Sequence, residues 1–444
     1  MSQSNRAVRK YLNADSLFKH IHTAFEKIPD HRTGDVKISL PDALMSGFAM
    51  FSLKDPSLLV FDSRRKDEKK LKNLKKIYHI EEVPCDTQMR EILDEVSPEA
   101  LSPVFTDIFR QAQRGKALEK MVFMDGYYLL SVDGTGYFSS KKIHCPSCLE
   151  KTHSKSGEVT YSHQMLGAAI VHPERQEVIP VFPEPITKQD GARKNDCERN
   201  AAKRFLDQFR KAHPHLPVII IEDGLSSNAP HIRELKKHDI RFILGAKPGD
   251  HEFLFQQVER AAHHGEVSEY TLKIDTVTHR FRFLNHLPLN QSNQDVLVNF
   301  LEYWEIREDG TTQHFSWITD FEITRENIWK LMQGGRARWK IENETFNTLK
   351  NQGYHYEHNY GHGEKHLSVI FALLMMLAFF VDQVLQSACR LFQAVWHKEG
   401  SKKQMWEHIR ALFYSLEFDS MGDIFNALLY GYAVEGLVIF QDSS

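Results

Sequence analysis

Runs of apolar, β-branched residues alternate with amphipathic stretches along most of this chain. Residues 127–133, 161–171 and 178–182 are rich in Val, Ile, Leu and Tyr and are parted by Gly, Pro and charged turns, which predicts three successive strands. The period then changes. Within 196–212, Ala201, Phe205, Leu206 and Phe209 recur at helical spacing, and the pattern returns to strand at 217–223, helix at 231–237 and strand at 241–247. The predicted order is βββαβαβ.

On either side of this block the pattern differs. Stretches 14–28, 40–53 and 97–114 are amphipathic and broken by short polar segments, so the first 120 residues read as an all-helical domain. Residues 268–287, 295–306 and 314–323 combine aromatic and β-branched residues with Asn, Asp and Gly turns, which predicts a mainly β segment. The apolar stretch 367–381, bounded by His366 and Asp382, is too short for an ordinary membrane span and reads as a buried helix under the sheet. Beyond it, 404–416 is amphipathic, which suits a helical tail with a dimerisation face.

Composition sharpens this picture in three places. With 444 residues, 41% of them hydrophobic, the chain can bury a sizeable core and divide into two to four units. Its five cysteines are unevenly placed and suggest no disulfide framework, and Met1–Arg9 is polar with no apolar segment after it, so a cytoplasmic protein without membrane association is expected. A formal charge of −3 argues against a nucleic-acid partner, but Arg64–Lys76 holds eight Lys or Arg against two acids and could track a phosphate backbone. The competing reading of that run is a solvated helical face.

Candidate chemistry centres on carboxylates. Asp133 and Asp223 close apolar runs, which puts them at the ends of buried strands, where a carboxylate is costly unless it binds something. Glu342 sits on a predicted helix. Carboxylates converging from two strands and a helix can hold two Mg²⁺ ions, with Mn²⁺ as a substitute, for phosphoryl transfer. Competing acids are Glu344 on the same helix, Glu222, whose side chain should leave the opposite face of its strand, Asp125 and Asp320. A second constellation, Cys145, Cys148 and His153 with His163 or His144 as fourth ligand, has spacing compatible with a small structural Zn²⁺ site.

The segment Arg336–Lys350 carries Arg338, Trp339, Ile341 and Glu342, then Phe346 and Lys350. With Asp133 and Asp223 in their strands, it resembles the DDE transposases of bacterial insertion sequences, in the branch with the helix signature Tyr-x2-Arg-x3-Glu-x6-Lys. Two positions depart from that signature: Gly335 stands where Tyr is expected, and Lys350 lies one residue beyond the expected Lys. From Asp223 to Glu342 is 119 residues, room for the β insertion that this branch carries.

The resemblance implies a multidomain α/β protein. Its ribonuclease H-like core (βββαβαβ-α) would be interrupted by a mainly β insertion, preceded by an all-helical domain and followed by a helical tail. The expected division is 1–120 for DNA-end binding, 121–250 and 317–385 for the core, 251–316 for the insertion and 386–444 for the tail. It further implies metal-dependent strand cleavage and transfer at terminal inverted repeats, with double-stranded transposon ends and target DNA as partners and a homodimer in the synaptic complex. Arg338, Lys350 and Lys247 are then candidate phosphate contacts, and Trp304 in the insertion a candidate stacking surface for a flipped base, although a Trp in an apolar strand is more often core. A ribonuclease H-like nuclease without strand transfer and an inactive transposase-derived DNA-binding protein are the alternatives.

Overall fold

A computed structural model of the chain describes residues 11–65, 67–188 and 196–432. Sequence expectations for residues 1–10, Lys66 and 433–444 lie outside the described residues.

The strands are β1 (Val122–Met124), β2 (Tyr127–Ser140), β3 (Leu149–Thr152), β4 (Val159–Val171), β5 (Ile179–Pro180), β6 (Glu184–Ile186), β7 (Val218–Glu222), β8 (Arg241–Gly245), β9 (Ser268–Ile274), β10 (Val277–Asn290), β11 (Asn293–Ile306) and β12 (Thr312–Thr319). All belong to one mixed sheet in the order β3-β4-β2-β7-β8-β12-β11-β10-β9, with β1 beside β2 and with β5 and β6 beside β4. The pairs β2–β7 and β7–β8 are parallel, whereas β2–β4 and every pair from β8 outward are antiparallel.

The alternation of elements follows the sequence pattern, with physical departures. The third expected strand, 178–182, is cut to the two-residue β5, with β6 following beyond it, because Pro180, Pro183 and Pro185 interrupt ladder pairing. β2 continues past Asp133 to Ser140, so Asp133 lies inside a strand rather than at its tip. Its pairing with β7, however, stops at Ser131, which leaves Asp133 just beyond the parallel ladder. The β segment is joined to the central strands, because β12 pairs with β8 through Trp317↔Gly245, Ile318↔Leu244 and Thr319↔Ile243. A helix, Glu252–His263, precedes it.

The helical part of the molecule is built around Leu367–Ala388. This helix is 22 residues long, not 15, and is apolar enough by length and composition to cross a membrane, yet 94% of its most apolar window is buried in the protein. Helix Leu40–Ser52 lies so close to it that a Cβ on Gly47 would sit 2.8 Å from Leu374 Cδ1. Asp94, the last residue of helix Asp86–Asp94, accepts from the backbone N–H groups of Glu364, Lys365, His366 and Leu367 and so satisfies the otherwise unpaired donors at the start of the long helix.

N- and C-terminal helices also meet each other. Asn73 donates to the carbonyls of Phe413 (2.7 Å) and Leu416 (2.6 Å) and accepts from Phe418 N–H, while Asp15 accepts from Met421 N–H at 2.7 Å. Six of the eight basic side chains of the run Arg64–Lys76 are paired within the chain: Arg64 with Asp55, Arg65 with Asp62, Lys70 with Asp67, Lys72 with Glu417, Lys75 with Glu81 and Lys76 with Asp419.

Candidate active site

Asp133 and Asp223 reach the same place because their strands are neighbours in register. Ser131 pairs with Ile221, and each aspartate lies two residues further along, so both leave the sheet on the face that Ser131 and Ile221 occupy. Asp223 begins the turn after β7, where its side chain accepts from Leu225 N–H at 2.9 Å. The two aspartates line one cavity of about 640 Å³ with Asp196, Glu198, Arg199, Lys203, Glu222 and His231 among the other lining groups.

Glu342 comes from the layer above. Helix Ile328–Arg336 tightens into turns with Lys340 N–H on Ala337 O and Ile341 N–H on Arg338 O, widens into a π turn over Ile341–Phe346, and resumes as Asn347–Asn351. Ser131 Oγ donates to Arg338 O at 3.0 Å, pinning this segment to β2. Further on, Gly167, paired with Asp133 across β2–β4, lets the Phe346 ring lie directly on the strand, since a Cβ there would be 2.6 Å from Phe346 Cε1.

One guanidinium nitrogen joins the two acids. Arg338 Nη1 donates to Asp133 Oδ2 at 3.0 Å and to Glu342 Oε1 at 2.9 Å. Burial pushes the Asp133 carboxyl up to about 7, and the facing Glu342 carboxylate adds to the shift against the opposing Arg338 charge. Beside Gly134 in the same cavity, burial raises the carboxyl of Glu198, with the negative charge of Asp223 adding to it. Among the described residues, Asp133, Asp223 and Glu342 do not close on one point as a compact ligand cluster. Asp133 and Glu342 form a pair through Arg338, and Asp223 joins Asp133 in lining the cavity.

The competing acids are accounted for by position. Glu344 contributes to the electrostatics of Lys402, on a C-terminal helix. Glu222 also lines the cavity but is held by His231, whose Nε2 lies 2.5 Å from its carboxylate. Asp320 binds Arg241 and the backbone N–H of Phe242, and Asp125 lies in a tight turn with φ of 51°.

Both departures from the helix signature have local causes. Gly335 faces Trp317, and a Cβ there would be 2.4 Å from the indole Cε2, so no tyrosine fits. The extra residue before Lys350 is the one that a π turn accommodates. Lys350 is paired with Glu357 at 2.9 Å, and Lys247 is exposed beside the Asp223 turn, its Cγ 3.7 Å from the Cβ position of Gly224. Trp304 is half-buried against His314, ring centroids 4.9 Å apart, with Arg280 and Arg282 nearby. Its neighbours Tyr303 and Glu305 face the layer of helix Ile328–Arg336, where Arg336 pairs with Glu305, so Trp304 points from the opposite face of the sheet.

The second constellation keeps three of its expected members. Cys145, Cys148 and His163 come together, but His153 Nε2 is hydrogen-bonded to Thr160 on an exposed hairpin, and His144 stacks on Tyr161. The fourth member is His362, which spacing could not suggest because it lies 199 residues beyond His163. Glu198 was also outside the expected set; its only sequence signal is an acid opening the helix after the third strand region.

Set against known proteins, the sequence matches no curated protein. A solved structure of the piggyBac transposase synaptic complex with hairpin DNA is similar at 9% identity, over 97% of this chain and 83% of that one, with a TM-score of 0.39, too loose a likeness to carry an argument. The family profile described as Transposase DDE domain matches residues 129–380, from the start of the Asp133 strand through the Glu342 helix into the long buried helix. That is more than half of the chain, and the chain belongs to the DDE-domain transposase family.

Proposed function

We propose that this transposase cuts DNA at the terminal inverted repeats of an insertion sequence and joins the freed ends to target DNA, using Asp133, Asp223 and Glu342 as its acidic triad. The observation that carries this reading is the Asp133–Arg338–Glu342 bridge beside the Asp223 cavity: two carboxylates held face to face, one with its proton affinity raised to about 7, within a family match that spans all three acids. We read the core as ribonuclease H-like. The order β5/β6-β4-β2-β7-β8, with the last two strands parallel to β2, supports that reading.

The donor set suits Mg²⁺ or Mn²⁺, since carboxylate oxygens are hard ligands and the pair carries a charge that a cation would relieve. When bound, two such ions supply Lewis-acid activation of the attacking oxygen and stabilisation of the leaving oxygen. Asp133, Asp223 and Glu342 would hold the ions. Arg338, now shared by two carboxylates, is released to grip a phosphate oxygen. Water attacks phosphorus, the bond to the 3′ oxygen breaks, and the products are a 5′ phosphate and a 3′ hydroxyl. That hydroxyl then attacks a target phosphodiester, exchanging one phosphodiester bond for another without an external energy source. Lys350, once it leaves Glu357, and Lys247 add positive charge near the scissile strand. Trp304, on the far face of the sheet, is assigned no part in this step, and a homodimer is the working form because two ends must be held together.

The test is cleavage of labelled DNA carrying the ends of the source element with Mg²⁺ or Mn²⁺. We expect nicking at the element boundary, lost by at least about a hundredfold in Glu342→Gln and retained in Glu344→Gln. Cleavage without joining would favour a plain nuclease, and end binding without cleavage by the wild type a non-catalytic derivative.

A further inference from the structure

Away from the carboxylates, four soft or borderline donor atoms face a common point. Cys145 Sγ and Cys148 Sγ are 3.9 Å apart, His163 Nε2 is 3.4 Å from each sulfur, and His362 Nε2 is 3.1 Å from Cys148 Sγ. All four ligand atoms lie within 4.8 Å of one another. Tetrahedral bonds of about 2.3 Å to sulfur and 2.0–2.1 Å to nitrogen put neighbouring donors about 3.3–3.8 Å apart, and the four separations above lie within a few tenths of an ångström of that range, so the group is sized for one ion.

The surroundings favour a metal over a loose thiol cluster. Cys148 and His163 are each 1% exposed and Cys145 is 7% exposed. The ring nitrogens turned away from the sulfurs, Nδ1 of His163 and of His362, are buried without a hydrogen-bond partner, so each imidazole directs its one engaged nitrogen at the cluster. Tyr137 stacks on His163, and Phe138 lies 4.4 Å from the His362 ring, walling the group off from water. The loop around His362 is shaped for this reach. Gly361 and Gly363 flank it with φ of 157° and 64°, and Asp94 holds the following residues by their backbone N–H groups.

We propose that Cys145, Cys148, His163 and His362 bind one structural Zn²⁺ ion that ties the segment following the Glu342 helix to the β2–β4 hairpin. Two thiolates and two imidazoles form the Cys₂His₂ set that zinc takes when no open position is needed. The ligands come from three separate stretches: the loop after β2, β4 itself, and the chain between the Glu342 helix and the long buried helix. Since β2 also carries Asp133, the ion would fix the far end of the same hairpin on which the active site is built. Its role is positional, because no donor is left open for a water.

Metal analysis of the full-length protein, purified with thiols kept reduced, tests this. We expect about one zinc per chain, and visible d–d bands of tetrahedral thiolate coordination after exchange with Co²⁺. His362→Ala should weaken zinc binding at least about a hundredfold, and His153→Ala should leave it unchanged. Where His362→Ala fails to fold, the wild type still decides: chelator should expose Cys145 and Cys148 to alkylation, and zinc should protect them again. Protein with no bound zinc and no cobalt spectrum, a Cys145–Cys148 disulfide in its place, or zinc loss in His153→Ala but not in His362→Ala would overturn the proposal.

Discussion

A single nitrogen of Arg338 bridges two acids of the site. It sits between Asp133 and Glu342, side chains 22% and 35% exposed, and cannot fully neutralise both. Burial, reinforced by Glu342, therefore leaves Asp133 with a proton up to about pH 7. The folded state binds more protons than the unfolded chain between the ordinary Asp value of 3.8 and about 7, so the metal-free protein loses stability as pH rises through that window. A divalent cation must displace that proton. Its affinity should rise by up to about tenfold per pH unit below pH 7 and level off above, with close to one proton released per binding event near pH 6. Calorimetry in two buffers of different ionisation heat reads the released proton directly, and affinity independent of pH between 5.5 and 8, about the span of the expected titration, would refute the assignment. Glu342→Gln should move the midpoint of any remaining dependence downward, because the second contributor to the Asp133 shift is gone.

At the scale of elements, the Glu342 segment is a helix fitted tightly to a sheet at two glycines. Gly335 admits Trp317 and Gly167 admits Phe346. Gly335→Tyr would restore the family signature in sequence and break the contact in space. Overpacking of this kind costs about 1–3 kcal/mol, so we expect a Tm lower by several degrees and weaker cleavage as Arg338 and Glu342 lift from Asp133. A Gly335→Tyr protein with unchanged Tm and full cleavage would show that the Trp317 contact does not set the helix position. This element also marks the limit of what the sequence discloses. The strand alternation and the helix around Glu342 are legible, because β-branched runs and helical spacing are local signals. The π turn is not, since a one-residue shift before Lys350 reads equally as a weak match. The joining of β12 to β8 and the approach of His362 to Cys148 are decided by pairings between distant segments, for which local periodicity carries no signal.

In the whole molecule, distant stretches are bound by one buried cation. Lys54, 2% exposed, donates to Asp382 Oδ2 at 2.7 Å and lies 4.0 Å from the ring centroids of both Tyr354 and Trp406. Lys54 belongs to the N-terminal helices, Tyr354 to the chain after the Glu342 helix, Asp382 to the long buried helix and Trp406 to the C-terminal helices. Tyr354 also donates its hydroxyl to Asp382, and Arg410 donates to the backbone carbonyls of Leu53 and Lys54. Burial pushes the Lys54 ammonium down and the Asp382 carboxyl up, and their attraction opposes both shifts. Such a pair adds little over well-packed apolar side chains, but removing one partner strands a charge in the core. Asp382→Asn should therefore cost about 3–5 kcal/mol, whereas the double change Lys54→Met with Asp382→Leu should recover most of that loss. Chemical denaturation of the three proteins measures both terms. If the single variant were as stable as the wild type, the pair would not be what holds these four segments together; if single and double variants were equally unstable, the loss would come from packing rather than from the stranded ammonium. The expected result carries a consequence for the site: Tyr354 follows the Glu342 segment by a few residues, so a loosened Lys54 would reach the active helix through the core and lower cleavage without touching an acid.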